Sequence, residues 1–270
     1  MVSTARYSEL QRVLGSQIPV YASADAIDTA HHIALRCNRA YQFLQETLTT
    51  RPAITVLVLN AADWLTYSQY PAYGMPHTTS GETLVVAAHE NALWRSTLPD
   101  ETTLTPELVQ RYRTVFTQPD GSQSFASFFD LLVVHELAHL FHTQAFCIFP
   151  RLWLMELFAN LCLYAYVAVV EPDQLPVLET RPQLLVRIDA QHTPHRQLQD
   201  FEIQDISINP QNYAWYQGHF HIAVKRIYAQ SGVAALQRLW QMFLVPDQQL
   251  AVQLEAVSPE LAQVLTQWPS

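Results

Sequence analysis

The chain has 270 residues, 49% of them apolar and 14% charged, with a formal net charge of −9. That length and apolar content suffice to bury a sizeable core, as one large domain or two closely joined lobes, and exclude an intrinsically disordered protein. Lys225 is the one lysine among fifteen basic residues, and no Lys/Arg cluster offers the footprint that a phosphate backbone demands, so no nucleic-acid partner is expected.

Met1 to Ser16 is polar and mixed, without the basic start and apolar run of a secretory signal. Apolar residues spaced three and four apart predict an amphipathic helix over Ala24 to Thr49. Ile54 to Leu59 is a β-branched run of strand length, and Asp63 to Gln69 is a short helix. Tyr70 to Gly81 reads as a loop punctuated by Pro and Gly, and Thr83 to Ala88 as a second strand. Helices are expected at Pro106 to Phe116, Phe125 to Gln144 and Leu152 to Val170. The segment Pro172 to Pro194 reads as irregular, with a strand around Leu184 to Ile188. Two further helices, Tyr213 to Gln230 and Val233 to Phe243, are separated by Ser231-Gly232, and a last one covers Pro259 to Gln267. Strands fall early and helices late, which predicts an α+β fold. The expected organisation is an N-terminal α/β lobe, residues 1–145, and a helical C-terminal lobe, residues 146–270, forming one catalytic unit. The longest apolar stretch, Leu157 to Val170, is too short to span a bilayer and reads as a buried helix, so no membrane association is expected. Cys37, Cys147 and Cys162 show no metal-type spacing, and free thiols point to the cytoplasm.

The chemistry is concentrated in His135-Glu136-Leu137-Ala138-His139, inside the Phe125 helix. Residues four apart share one helix face, so both imidazoles can converge on one ion. Glu136, one residue round the helix from His135, is placed to take a proton from a metal-bound water. A chance match on a surface helix is the bland alternative. An otherwise apolar helix, however, does not bury three ionisable groups without a partner. A third ligand is needed. His142 lies seven residues after His135, a rise of about 10.5 Å, too far to share the ion in a straight helix. It reads instead as a helix C-terminal residue or as a support for a ligand. Glu156, on the next helix in the apolar setting Trp153-Leu154-Met155-Glu156-Leu157-Phe158, is the better candidate, with an ordinary ion pair as its alternative role. Asn160, one turn further on, can accept the free ring N–H of a ligating histidine.

His135-Glu136-x-x-His139 followed by Trp153-x-x-Glu156-x-Phe158-Ala159 resembles the gluzincins, the metallopeptidase clan of thermolysin and the membrane-alanyl-type aminopeptidases. The likeness covers Phe125 to Tyr166 well and the rest by element order alone. It implies a zincin-like fold with one Zn²⁺ per chain, held by His135, His139 and Glu156, and Glu136 as general base. It also implies an edge strand that pairs with extended substrate, for which Thr83 to Ala88, with Leu84, Val85, Val86 and Ala87, is the counterpart. A later helix in such enzymes supplies an oxyanion-stabilising Tyr or His. Tyr216 is the first candidate here, with Tyr213 and His219 as alternatives. Asn160 stands where thermolysin-like enzymes carry an aspartate, so its hold on a histidine lacks charge.

The expected function is zinc-dependent hydrolysis of peptide bonds in a peptide or protein substrate. A binding or regulatory module on the same fold, or a zinc hydrolase of another amide or ester, are the alternatives. Oligomeric state is not legible in the sequence.

Overall fold

The computed structural model describes residues 4–203, 209–244, 254–255 and 257–268. The strands are β1 (Gln11–Arg12), β2 (Val20–Ala22), β3 (Thr55–Leu59), β4 (His77–Thr79) and β5 (Thr83–Ala87). The helices are α1 (Ile27–Leu48), α2 (Ala61–Tyr67), α3 (Leu93–Ser96), α4 (Pro106–Phe116), α5 (Ala126–Gln144), α6 (Leu152–Val170), α7 (Leu175–Leu185), α8 (Leu198–Ile203), α9 (Pro210–Leu244) and α10 (Pro259–Thr266). The fold is α+β, with a small mixed sheet and a helical majority.

The chain divides into two compact units, one formed by residues up to Trp94 with Phe129–Ala145, the other by Arg95–Phe128 with Phe146 onward. The segment Arg95–Phe128, expected with the N-terminal lobe by order along the chain, thus groups with the second unit.

The first unit is built on the sheet, in the order β1-β2-β3-β5-β4. β2, β3 and β5 run parallel, while β1 and β4 are antiparallel to their neighbours. β3 and β5 are buried at every position, which is why both read as continuous apolar runs rather than alternating ones. α1 buries Ala30, Ile33, Ala34, Cys37, Ala40 and Leu44, the predicted stripe. α5 carries Phe141 against Tyr41 of α1, with ring centroids 5.4 Å apart. At its end the Gln144 amide bonds both main-chain groups of Ala53, accepting from the N–H at 2.8 Å and donating to the C=O at 2.7 Å. The same Nε2 donates to the Gly81 carbonyl at 2.9 Å. The last turn of α5 is therefore tied to the entry of β3 and to the β4–β5 turn.

Two sequence expectations are corrected in this unit. His77–Thr79 is a strand, although Gly74, Pro76 and Gly81 mark its surroundings as loop; Ser80 and Gly81, both at positive φ, supply the turn that folds it back on β5. Consequently β5 is not an edge. Thr83, Leu84 and Val85 pair with β3 on one side and β4 on the other, and Val86 and Ala87 are buried. The edge is β4.

In the second unit α6 and α7 pack along α9, and α4 against α7. α6 is long and apolar enough to cross a membrane, yet most of it is buried inside the fold as a core helix. Its N-terminus is capped by Glu202, whose carboxylate accepts from the N–H groups of Leu152 at 3.1 Å and Trp153 at 3.3 Å. The strand expected around Leu184 to Ile188 is replaced by α7. Pro176 sits in its first turn, where a missing N–H costs nothing, and Pro182 is accommodated inside it. The run Leu184-Leu185-Val186 is thus the end of a helix and its cap. Gly218 of α9 permits the α7–α9 approach, because a Cβ there would lie 3.0 Å from Leu185 Cβ and 3.1 Å from the Pro182 carbonyl oxygen. Gly232, at φ 55° and ψ −151°, breaks α9 where the sequence places the division between two helices.

Candidate metal centre

α5 is rich in apolar residues and mostly buried, and it takes two histidines inside with it: His135 is 5% exposed and His142 6%. The His135 and His139 rings stand at 74° to each other, with their Nε2 atoms 3.0 Å apart. Two nitrogens bound to one tetrahedral zinc at about 2.0–2.1 Å would be separated by about 3.3–3.4 Å. The pair needs to open by only a few tenths of an ångström to accept an ion. Glu136, between them in sequence, is half-buried.

On the other side of the ring, His139 Nδ1 lies 2.9 Å from His142 Nε2. His142 therefore faces the back of His139, away from the atom shared with His135, and is not a ligand in this arrangement.

Glu156 is 8% exposed on α6 and is held by α9. Gln217 Nε2 donates to Glu156 Oε2 at 2.7 Å, and the Tyr213 hydroxyl donates to the same oxygen at 3.2 Å. Gln217 Nε2 also lies 2.8 Å from the Tyr213 hydroxyl oxygen. Its Oε1 accepts from Asn160 Nδ2 at 2.8 Å, and Asn160 is fully buried. Tyr213 and Gln217 reach one carboxylate because residues four apart share a helix face.

Tyr216 does not join this group. It is fully buried, and its hydroxyl donates to the Gln197 carbonyl at 2.8 Å. Its ring packs with Phe201 at 5.0 Å and Trp268 at 5.9 Å. Burial raises the phenol well above its ordinary pKa. The expectation that Tyr216 serves the site is corrected: it is one residue, about 100°, round α9 from Gln217, and that turns it into an aromatic cluster. His219 is about 200° round. It packs on Trp215 at 4.3 Å and lines a surface cavity with Arg226, Glu260 and Trp268. Of the three candidates, Tyr213 alone is placed beside Glu156.

His135, His139 and Glu156 form a group whose potential ligand atoms all lie within 4.8 Å of one another. Two imidazole nitrogens and a carboxylate are a donor set that divalent transition ions accept, zinc among them, though the set alone does not choose the metal. The residues fit such an ion. Compared with known protein families, curated proteins and solved structures, the chain matches none.

One residue of this arrangement, Gln217, and one partnership, that of His142, are not singled out by sequence reasoning. Gln217 has no motif, although its spacing of four from Tyr213 is the available signal. His142 is visible as a support, but its partner is not.

Proposed function

We propose that this chain is a zinc-dependent peptidase with a zincin-like fold, its ion held by His135, His139 and Glu156. The observation that carries the reading is the convergence of those three side chains around a helix that also presents Glu136. A purely structural metal site has no need of that carboxylate. When bound, the ion supplies Lewis acidity, lowering the pKa of its water and polarising the scissile carbonyl. Glu136 would act as the general base, holding the proton of the attacking water and passing it to the departing amine. The Tyr213 hydroxyl, which donates to Glu156 in the structure, would turn to donate to the oxyanion that develops on the carbonyl. Gln217 holds the Glu156 carboxylate, and Asn160 is assigned to orient a ligating histidine through its side-chain oxygen. Extended substrate pairs with the edge strand β4, whose outer main-chain groups the sheet leaves available, in place of β5. Three free cysteines support a cytoplasmic location.

The test is digestion of a mixed peptide library by the zinc-loaded protein beside Glu136→Gln. The wild type should cleave. The variant should keep its zinc and lose turnover by about 10²–10⁴-fold, the usual contribution of a positioned general base. Zinc bound with no peptide cleaved would leave a binding module or a hydrolase of another amide or ester as the better reading. Loss of zinc in the variant would move Glu136 from base to ligand.

A further inference from the structure

We infer that His142 is a positioning residue for the metal ligand His139, through an imidazole–imidazole hydrogen bond that fixes the His139 tautomer. This rests on the zinc reading above. The geometry is local to one helix: His142 lies three residues beyond His139, and helical side chains lean back toward the N-terminus, which brings the later ring onto the earlier one. The two rings stand at 83°, with Nδ1 of His139 and Nε2 of His142 2.9 Å apart. His142 is buried and His139 half-buried, so the contact is largely out of water.

The protons follow from the chemistry of imidazole. His139 presents Nε2 toward His135 Nε2, so a metal shared by the two takes the lone pair on that atom. A neutral imidazole that ligates through Nε2 carries its proton on Nδ1. That N–H then donates to His142, whose Nε2 must be the bare nitrogen and whose own proton must sit on Nδ1. An acceptor behind a ligating histidine holds the ring at the angle the ion needs and raises its basicity. His142 does for His139 what a carboxylate does behind many ligating histidines, without adding a negative charge to the site.

Zinc affinity measured by competition with a chelator, on wild type, His142→Leu, His142→Phe and His142→Gln, tests the assignment. The apo forms are checked by circular dichroism, and the cobalt(II) forms by visible absorption. The acceptor-free Leu and Phe variants should bind zinc about 10–100-fold more weakly and show an altered cobalt spectrum. His142→Gln, whose amide oxygen can take the place of Nε2, should recover most of the loss. Equal affinity in all four proteins would overturn the role of His142 while leaving the zinc site standing. An equal loss in Gln, Leu and Phe would overturn it too, by showing that ring packing matters and the acceptor does not. No zinc in the wild type would remove both readings together. Should the Leu and Phe variants fail to fold, long-range ¹H–¹⁵N spectra of the zinc-loaded wild type decide. They should show His142 protonated on Nδ1 and bare on Nε2, and the reverse would overturn the inference.

Discussion

Two tyrosines three residues apart on α9 meet opposite fates. The Tyr213 hydroxyl lies 3.2 Å from Glu156, whereas Tyr216 donates to the Gln197 carbonyl inside an aromatic cluster. Their phenylalanine variants should separate catalysis from stability. Tyr213→Phe should lower kcat by about 10²–10³-fold with little change in KM, the size of effect seen when one oxyanion donor is removed. Tyr216→Phe should leave kcat nearly unchanged and cost about 1 kcal/mol of stability, since it removes the hydrogen bond to the Gln197 carbonyl. Steady-state kinetics and denaturant melts on both variants check this, and a kinetic defect confined to Tyr216→Phe would reverse the assignment. At this scale the sequence reads His135, Glu136, His139 and Glu156 together, because strict spacing and an apolar setting are visible in one dimension. It does not choose among Tyr213, Tyr216 and His219, since that choice depends on the rotation of α9 against α6. Gln217 is hidden for the same reason, a neutral amide whose meaning comes from what faces it.

Among the elements, the long helices are legible because their periodicity or unbroken apolarity outlasts local noise. α4 and α6 coincide with their predicted bounds, and the break in α9 falls at Gly232. The failures share a cause. α7 is mistaken for irregular chain ending in a strand because Pro176 and Pro182 read as breakers. The first occupies a helix N-terminus, and the second is tolerated because packing against α9 outweighs one lost hydrogen bond. β4 is too short to carry a pattern, and missing it makes β5 look like the edge. Gly218 lies where α7 approaches α9. Alanine is the better helix former by about 1 kcal/mol, but a Cβ at 3.0–3.1 Å from Leu185 Cβ and the Pro182 carbonyl must push two helices apart. Gly218→Ala should therefore destabilise the protein by about 1–2 kcal/mol in a denaturant melt. A stabilised variant would show that α7 and α9 yield easily.

For the molecule as a whole, an acidic chain with a buried apolar helix follows from composition. The grouping of Arg95–Phe128 with the second unit does not, because it depends on long-range packing. Stability should respond to pH through His219, whose pKa is pushed down to about 4, first by burial and then by the Arg196 charge. Above about pH 6.5 this histidine is neutral folded or unfolded and its stability contribution is intact. As pH falls from about 6.5 toward 4, the unfolded chain binds a proton that the folded one refuses, and that contribution is lost. Between pH 7 and pH 5 the loss should be about 2 kcal/mol, and His219→Gln should flatten that part of the curve. An unchanged slope in the variant would show that His219 titrates normally in the folded protein.

His135, His139 and Glu156 are proposed to hold one ion. Elemental analysis of the protein purified without added metal, wild type beside Glu156→Ala, tests it most directly. About one zinc per chain is expected in the wild type, and a large loss in the variant. A wild type that carries no zinc even after it is offered, or a variant that binds it equally well, would show that these three side chains do not form the site.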